Sequence, residues 1–343
     1  MVIVIAILMF GILIFIHELG HYLMARLFKV SIREFAVGMG PKIISGQSKK
    51  TGIVYSLRAL PIGGFVSMVG EDETSEDPNA FNNKKKWQRF LVLAAGALMN
   101  LALGILLMCI LSVSAQNIGS TTIVRFDSDE ASSMQSGLMP GDEIKKINGK
   151  SVHFSSDLVY TIMREGTEAV DVTVIRNGEK TLVRGVLFPT IVEEGVVFGS
   201  PDFKVLSLER TPGVVVRYAL SQSVWAVRMI WESLFDFITG RYGVDQMSGP
   251  VGVTSAIGDA AKSGGAANVL YLTALIAVNL GVFNLLPFPA LDGGRIAFLL
   301  VECVRGKPIK PEYEGYVHFA GIVILMALML VVTYKDIVKL FVS

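Results

Sequence analysis

The residues best suited to chemistry are three ionisable side chains in the first apolar stretch of the sequence. His17-Glu18-Leu19-Gly20-His21 is the H-E-x-x-H pattern. On a helix, positions i and i+4 lie about 40° apart around the axis, so both imidazoles can reach one Zn²⁺. Glu18 lies about 100° round from His17, where it is suited to take a proton from a water on the metal. The pattern predicts a catalytic zinc centre.

Such a centre needs a third protein ligand and an open position for water. The other ionisable candidates in or beside apolar stretches are Asp292, Glu302 and His318. Asp292 follows Pro287 and Pro289, which break an apolar stretch, and precedes a glycine pair that lets the backbone turn. Broken backbone at membrane depth is tolerated only where it lines a cavity or is buried in protein. Asp292 is therefore the predicted third ligand, and a capping aspartate at a turn is the alternative.

Four apolar stretches of the sequence must position these side chains. The chain has 343 residues, of which 52% are hydrophobic and 18% charged, and its mean hydropathy is +0.54. These figures exclude an ordinary soluble domain, and a helix needs roughly 18–25 residues to cross a bilayer. We therefore predict a polytopic α-helical membrane protein with four transmembrane helices. The stretches are Met1–Phe28, Phe90–Ala115, Val269–Pro287 and Tyr316–Thr333.

The distribution of Lys and Arg predicts the orientation of these helices. Ten basic residues lie between the first and second stretches, four lie between the third and fourth, and none precedes the first. The positive-inside rule then places both connections in the cytoplasm and the amino terminus outside. This orientation puts the zinc motif near the cytoplasmic side. The net charge of +1 excludes a strongly basic nucleic-acid-binding protein.

The long outer connection contains a predicted soluble module at Ile118–Phe188. Short alternating runs there predict strands, and Asn177-Gly178 predicts a hairpin turn. The stretch Ser136–Lys150 resembles the centre of a PDZ domain, so we expect one inserted α+β domain of that kind. Val214–Ile238 follows, with apolar residues spaced three to five apart. This spacing predicts an amphipathic helix on the outer membrane face.

A membrane-associated β-element is predicted in the first cytoplasmic connection. Ile53–Pro61 has strand-like composition and lies between a turn region at Gly38–Pro41 and the segment Gly63–Val66. A helical peptide must be unwound before its peptide bonds become accessible, and a free strand edge can replace its helical hydrogen bonds. We therefore predict that this segment dips into the membrane and offers an edge to a substrate through Tyr55 and Leu57. An ordinary cytoplasmic hairpin is the alternative.

Two motifs taken together resemble those of a known family. The first is H-E-x-x-H at His17–His21, and the second is N-x-x-P-x-P-x-L-D-G, which runs from Asn284 to Gly293. With one PDZ unit between them, they resemble the site-2 protease family and, within it, the bacterial regulators of sigma-E proteases. The resemblance runs from Ile3 to the last apolar stretch. Ala97 departs from the family, which usually has a proline at this place in the second stretch.

The resemblance implies an intramembrane zinc metalloendopeptidase that cleaves transmembrane segments of single-span proteins in regulated intramembrane proteolysis. The substrates it implies are anti-sigma factors or remnant signal peptides, and the cofactor is one Zn²⁺ per chain. Its motifs make His17, His21 and Asp292 the zinc ligands and Glu18 the catalytic acid/base. Expected substrate contacts are Asn284, Pro287, Pro289, Tyr55 and Leu57.

The expected location is the inner or cell membrane of a bacterium, with the lipid bilayer and single-span substrates as partners and no nucleic acid. The PDZ unit is expected to act as a size gate that excludes substrates with a large outer domain. A non-catalytic membrane scaffold acting through the PDZ unit is the alternative function. A metal transporter fits less well, because Asn100 is the one strongly polar residue of the second stretch. Cys109 and Cys303 are too few for a disulfide framework and are predicted to be buried.

The sequence is accordingly divided into seven predicted segments. Three carry the site: the first transmembrane helix, the β region with its linker, and the third transmembrane helix with its broken end. The segments are 1–28 (first helix), 29–89 (β region and linker), 90–115 (second helix), 116–190 (PDZ domain), 191–267 (outer connection), 268–294 (third helix) and 295–343 (cytoplasmic connection and fourth helix).

Overall fold

The computed structural model describes residues 1–193, 195–240 and 247–342. The chain divides into two compact units, one of residues 1–107 with 226–343 and the other of residues 108–225. The elements are, in chain order, α1 (Val2–Leu27), β1 (Ile32–Gln47), β2 (Val54–Met68), α2 (Lys86–Ser114), β3 (Ile118–Phe126), α3 (Ser132–Gln135), β4 (Glu143–Ile147), β5 (Lys150–Ser151), α4 (Ser155–Glu165), β6 (Val170–Arg176), β7 (Glu179–Val186), β8 (Thr190–Glu193), β9 (Val196–Gly199), β10 (Phe203–Leu208), α5 (Pro212–Ile238), α6 (Pro250–Asn284), α7 (Asp292–Arg305) and α8 (Pro311–Val342).

Four helices, α1, α2, α6 and α8, are long and apolar enough to cross a membrane. They coincide with the four predicted apolar stretches, and the protein is a multi-pass membrane protein. The third differs most from its prediction, because α6 begins at Pro250 instead of near residue 268. Gly265 divides α6 with a φ of 58°, a conformation that glycine adopts without a Cβ clash. The predicted third span corresponds to the part of α6 after this kink.

Helix α1 carries the zinc motif and is held by packing against two other helices. Leu13 is fully buried in a cluster with Ile257 and Ala277 of α6. Gly20 brings α1 close to α2, because a Cβ at this position would lie 2.4 Å from the carbonyl oxygen of Ala95. Small residues allow such close approach between membrane helices. The motif therefore lies on a helix whose position is fixed by its neighbours.

Strands β1 and β2 pair antiparallel, and one segment of each strand pairs with two separate segments of the other. Residues 34–37 of β1 pair with both 54–57 and 64–67 of β2. Residues 54–57 also pair with residues 44–47 at the far end of β1. The interior of this sheet is therefore formed by 34–37 and 54–57, and its two edges by 44–47 and 64–67. Gly38, with a φ of 87°, lies where β1 changes partners.

Glu34 links three neighbouring segments of this sheet. Its carboxylate accepts hydrogen bonds from Ser56 Oγ at 2.6 Å and Arg58 Nη2 at 2.9 Å, and it lies 3.0 Å from Lys42 Nζ. Burial by itself would raise the pKa of Glu34, but these three partners outweigh burial and lower the pKa to about 2. The sheet is thus stabilised by a carboxylate that stays ionised at neutral pH.

A short loop carrying Pro287 and Pro289 connects α6 to α7. Helix α6 ends at Asn284, and Asp292 lies in the first turn of α7. The turn into α7 is tight, because a Cβ at Gly293 would lie 2.0 Å from the Leu286 carbonyl oxygen. The sequence predicts a broken end here, but the helix α7 was not predicted as an element separate from the cytoplasmic connection.

The second unit contains an antiparallel sheet whose strand order is β10-β3-β4-β6-β7, with β5 paired to β4. Asn177 and Gly178 form the predicted β6–β7 turn with φ values of 53° and 84°. A fully buried Asp142 accepts two hydrogen bonds of 2.7 Å from Arg176 and one from the Met139 backbone. A buried charge held this way joins the loop before β4 to the end of β6.

Strand β10 and helix α5 extend this unit beyond the predicted end at residue 190. Helix α5 covers the predicted amphipathic segment and packs on α4, where Gln222 Nε2 donates to Ser156 Oγ at 2.5 Å. The ring of Tyr218 lies 5.1 Å from that of Phe154. The predicted outer connection 191–267 also includes residue 194 and residues 241–246, which lie outside the described residues.

The two cysteines are free and lie in α2 and α7. Cys109 is partly buried, whereas Cys303 is exposed. The prediction that both are buried was wrong for Cys303, because its apolar run turned out to be α7, a helix with one polar side. The neighbouring Glu302 faces the protein in place of the thiol.

Candidate metal centre

The structure brings together the three predicted zinc ligands, His17 and His21 from α1 and Asp292 from α7. The Nε2 atoms of the two histidines lie 3.2 Å apart. Asp292 Oδ2 lies 3.1 Å from the first of these nitrogens and 3.3 Å from the second. In the part of the chain that the structure describes, this is the one group of three His, Cys, Asp or Glu side chains arranged closely enough to hold a metal.

The three atoms fit a zinc ion in both chemistry and spacing. Two imidazole nitrogens and a carboxylate oxygen are a ligand set that zinc uses in catalytic sites. A tetrahedral zinc ion with bonds of about 2.0–2.1 Å holds its ligand atoms about 3.3–3.4 Å apart. Asp292 Oδ2 is also buried without a hydrogen-bond donor. A buried carboxylate oxygen beside two imidazole nitrogens is stabilised by a cation between them.

The far sides of both imidazoles are occupied by groups of α2. His21 Nδ1 lies 2.8 Å from the Val92 carbonyl oxygen and therefore donates to it, which leaves Nε2 free to bind a metal. The Asn100 amide lies 3.5 Å from His17 Nδ1, and its oxygen is buried without a partner. The amide atom nearest His17 is Nδ2; exchanging the amide nitrogen and oxygen, which have the same shape, places Oδ1 against Nδ1–H and leaves His17 Nε2 free to bind a metal.

Gly96 of α2 provides the space in which the two histidines meet. A Cβ at this position would lie 2.3 Å from His21 Nε2 and 2.8 Å from His17 Cε1. Both distances are too short for any side chain, so glycine is required for steric reasons. Ala97, at the position where the related family usually has proline, is fully buried and continues the helix.

Glu18 lies beside the sheet edge formed by residues 64–67. A Cβ at Gly64 would lie 3.0 Å from Glu18 Cγ, and the Val66 backbone interacts with the Glu18 carboxylate. Glu18 contributes no atom to the group of three ligand atoms. Glu18 is therefore adjacent in sequence to the ligand His17 and in space to the segment 64–67, whose outer side has no strand partner in the described register.

The predicted substrate contacts divide between two places. Tyr55 and Leu57 are partly exposed and lie on the interior segment 54–57, where the Tyr55 hydroxyl is 2.7 Å from that of Tyr22. Asn284, Pro287 and Pro289 lie at the end of α6 and in the loop that precedes Asp292.

The two other ionisable candidates for the third ligand have different partners. Glu302 is paired with Arg89 at 3.0 Å. His318 Nδ1 accepts a hydrogen bond of 2.9 Å from the Ala290 backbone, a structural contact. It holds the loop next to Asp292 without joining the metal centre.

Three features of the site were missed by the sequence analysis. Gly96 was not singled out, Asn100 was noted only as an isolated polar residue, and the segment 64–67 was not predicted to be the substrate edge. The sequence contained a signal for Gly96 and Asn100, because residues four apart lie on the same face of a helix. Which strand forms an edge depends on pairing and has no local signal.

Comparison with known proteins agrees with this geometry. A protein of Clostridium acetobutylicum is 39% identical over 341 residues, which is 98% of this chain and 97% of the relative. The regulator of sigma-W protease RasP of Bacillus subtilis is 32% identical over 416 residues, and the zinc metalloprotease RasP of Bacillus licheniformis is 31% identical over 421. Both alignments cover 98% of each chain. The profile of peptidase family M50 matches residues 5–328.

The chain belongs to peptidase family M50. This M50 peptidase is therefore a zinc metalloprotease that acts within the membrane, as the sequence analysis predicts. The match extends over both motifs and the region between them.

Proposed function

We propose that His17, His21 and Asp292 hold one Zn²⁺ per chain and that Glu18 is the catalytic acid/base. The observation that carries this proposal is the near-equilateral arrangement of the three ligand atoms, with separations of 3.1–3.3 Å. The hydrogen bond from His21 to Val92 supports it, because it leaves the metal-facing nitrogen unprotonated.

The reaction is hydrolysis of a peptide bond without a covalent enzyme intermediate. When bound, zinc lowers the pKa of water to about 7 and polarises the scissile carbonyl. Glu18 takes one proton from the attacking water at its carboxylate and later delivers it to the leaving amide nitrogen. The water oxygen becomes part of the new carboxyl group, and the amine leaves with the returned proton.

We propose that the substrate lies extended along residues 64–67. This edge has no strand partner on its outer side in the described register, and it passes next to Glu18. Adding a strand there replaces the helical hydrogen bonds that the substrate loses on unwinding. Tyr55 and Leu57 on the neighbouring segment, and Asn284, Pro287 and Pro289 near Asp292, are the proposed side-chain contacts.

The proposed substrates are transmembrane segments of single-span membrane proteins, either anti-sigma factors or remnant signal peptides. The Bacillus subtilis relative is named for its regulation of sigma-W, which favours the first class. The proposed topology has the amino terminus and residues 116–190 outside and the zinc site near the cytoplasm, as the positive-inside rule requires. The outer unit is proposed to be a PDZ domain.

Substitution of Glu18 by Gln tests the mechanism. Glu18→Gln removes the base but none of the three ligand atoms, so cleavage of a membrane-anchored substrate should fall by at least about a hundredfold. Zinc content, measured by elemental analysis of the purified protein, should stay near one ion per chain. The exposed Glu130 of the second unit provides a matched control, and Glu130→Gln should cleave normally.

Two outcomes would contradict the proposal. Normal cleavage by Glu18→Gln would exclude this acid/base. A wild-type protein that contains no zinc would contradict the proposed ligand set.

A further inference from the structure

Helix α7 carries Asp292 in its first turn and a half-buried arginine, Arg295, one turn later. Arg295 Nη1 donates to Glu71 Oε1 at 2.9 Å, and its Nη2 donates to Asp72 Oδ1 at 2.8 Å. The Arg295 and Glu71 side chains are only 25% and 16% exposed, whereas Asp72 is 79% exposed. The pair with Glu71 is therefore the more protected of the two contacts.

Glu71 is connected directly to the proposed substrate edge. Strand β2 ends at Met68, three residues before Glu71, and its last residues include the edge segment 64–67. The Arg295–Glu71 pair thus joins the helix that carries Asp292 to the strand that passes Glu18. These two elements are more than 200 residues apart in the chain.

The other end of α7 is fixed by a second ion pair. The Glu302 carboxylate accepts two hydrogen bonds from Arg89 Nη1, at 3.0 and 3.1 Å, and its backbone carbonyl accepts one from Lys86 Nζ at 3.1 Å. Both basic residues lie in the first turns of α2. Helix α7 is therefore anchored at one end to α2 and at the other to the loop after β2.

The two ion pairs line a cavity of about 420 Å³ on the polar side of α7. Ile296 and Leu299 of α7 pack into the core, and Leu299, between the two ion pairs, also lines the cavity. Apolar packing resists separation of α7 from the core but specifies its rotation and sliding poorly, whereas the planar fork of an arginine is directional. Burial lowers the pKa of Arg295, but the carboxylates of Glu71 and Asp72 outweigh it and keep this guanidinium charged.

We propose that Arg295 and Glu71 are positioning residues of the protease, holding the first turn of α7 so that Asp292 stays in reach of the two histidines and in register with the substrate edge. This inference rests on the proposed function, because it takes Asp292 as a zinc ligand. Neither residue contacts the candidate metal. Their effect is exerted through the backbone of α7 and of the loop after β2.

Metal retention measures this effect without relying on activity. The full-length protein is purified in detergent, and its zinc affinity is determined by competition with a chelator. Arg295→Met and Glu71→Gln should each weaken zinc binding by about tenfold or more, in the range found for residues that orient metal ligands. Arg295→Lys keeps the charge but loses the fork and should lie between these variants and the wild type.

Glu73→Gln is the matched control, because Glu73 lies two residues from Glu71 but pairs with Arg33 at an exposed position. It should leave zinc affinity unchanged. As a spectroscopic measure, Co²⁺ bound to Glu71→Gln should show an altered visible spectrum, because the position of one ligand has changed. Thermal unfolding of the same samples identifies a variant that has lost its fold, and Glu71→Gln, which preserves shape, is the variant expected to keep it.

The possible outcomes separate the inference from the proposed function. If Asp292→Asn loses zinc while Arg295→Met and Glu71→Gln bind it as tightly as the wild type, only the positioning inference is overturned. An equal loss of affinity in Glu73→Gln overturns it as well. If Asp292→Asn keeps full zinc affinity, the proposed ligand set and the inference both fail.

Discussion

At the scale of single residues, the candidate metal centre depends on a glycine, Gly96, as much as on its ligands. Gly96 leaves the space in which the imidazoles of His17 and His21 come within 3.2 Å of each other. Asn100, one turn further along α2, reaches the back of His17. One face of α2 therefore provides both the room for the metal centre and part of its hydrogen bonding.

Replacing Gly96 by alanine should disrupt this arrangement. The added methyl group would lie 2.3 Å from His21 Nε2, and α2 cannot withdraw easily because Gly20 of α1 already packs against Ala95. We expect zinc affinity to fall by at least about tenfold and cleavage to fall with it. Metal content after dialysis against a weak chelator measures the effect.

Gly11→Ala in α1 is the matched control, because no atom lies within 4 Å of a Cβ at that position. It should retain zinc and activity. A Gly96→Ala protein with normal zinc content would show that the histidines adopt another arrangement when metal is bound.

At the scale of elements, the sheet of β1 and β2 places the edge segment 64–67 next to Glu18. Its interior is stabilised by the ionised carboxylate of Glu34, which bonds to Ser56 and Arg58. The sequence predicted a β-element here and expected the substrate edge within residues 53–61. The register assigns 54–57 to the interior and 64–67 to an edge, because β1 bends at glycines and pairs with β2 twice.

The Glu34 interactions predict how the sheet responds to acid. The pKa of Glu34 is about 2 in the folded protein and about 4.3 when unfolded, so its charge stabilises the fold above the unfolded value. This contribution, on the order of 2–3 kcal/mol, is lost as the pH falls from about 4.3 toward 2. Hydrogen exchange of the β1 and β2 amides between pH 5 and about 2.5, corrected for intrinsic rates, measures it.

Glu34→Gln provides the comparison. Its sheet should be less protected than the wild-type sheet at pH 5, and the difference between the two proteins should shrink as the pH falls. Equal pH dependence in both proteins would show that another group is responsible.

At the scale of the whole molecule, the chain combines a membrane unit that holds the candidate catalytic groups with an inserted unit of residues 108–225. All three candidate ligands and Glu18 belong to the first unit. The inserted unit extends beyond residue 190, because β10 pairs with β3 at one end of its sheet. A deletion that ends at residue 188 would leave β10 without its partner.

The proposed size gate predicts the effect of removing the whole module. Replacing residues 118–208 by a short Gly/Ser linker joins the region after α2 to the region before α5 and leaves the metal centre intact. The resulting protease should cleave substrates that still carry a large outer domain, which the full-length protein rejects. Gel analysis of shortened and unshortened versions of one substrate measures the selectivity.

The same deletion combined with Glu18→Gln should cleave neither version, which assigns any new cleavage to the proposed centre. Unchanged rejection of the unshortened substrate would place the gate elsewhere, for example in α5.

The sequence alone determined the features that depend on local spacing. The positions of His17, Glu18 and His21 follow from the helical period, and the four membrane helices follow from length and apolar content. The choice of Asp292 also came from sequence, because two prolines and two glycines mark a break at membrane depth. Each of these signals lies within one short segment.

The tertiary structure decided the features that need distant segments to meet. It brought Asp292 to within 3.3 Å of residues more than 270 positions earlier in the chain, put Gly96 and Asn100 behind the histidines, and assigned the free edge to 64–67. It also showed that α7 is a helix of its own and that Arg295 of this helix binds Glu71. These contacts depend on how helices and strands pack against one another, and no local period in the sequence encodes that packing.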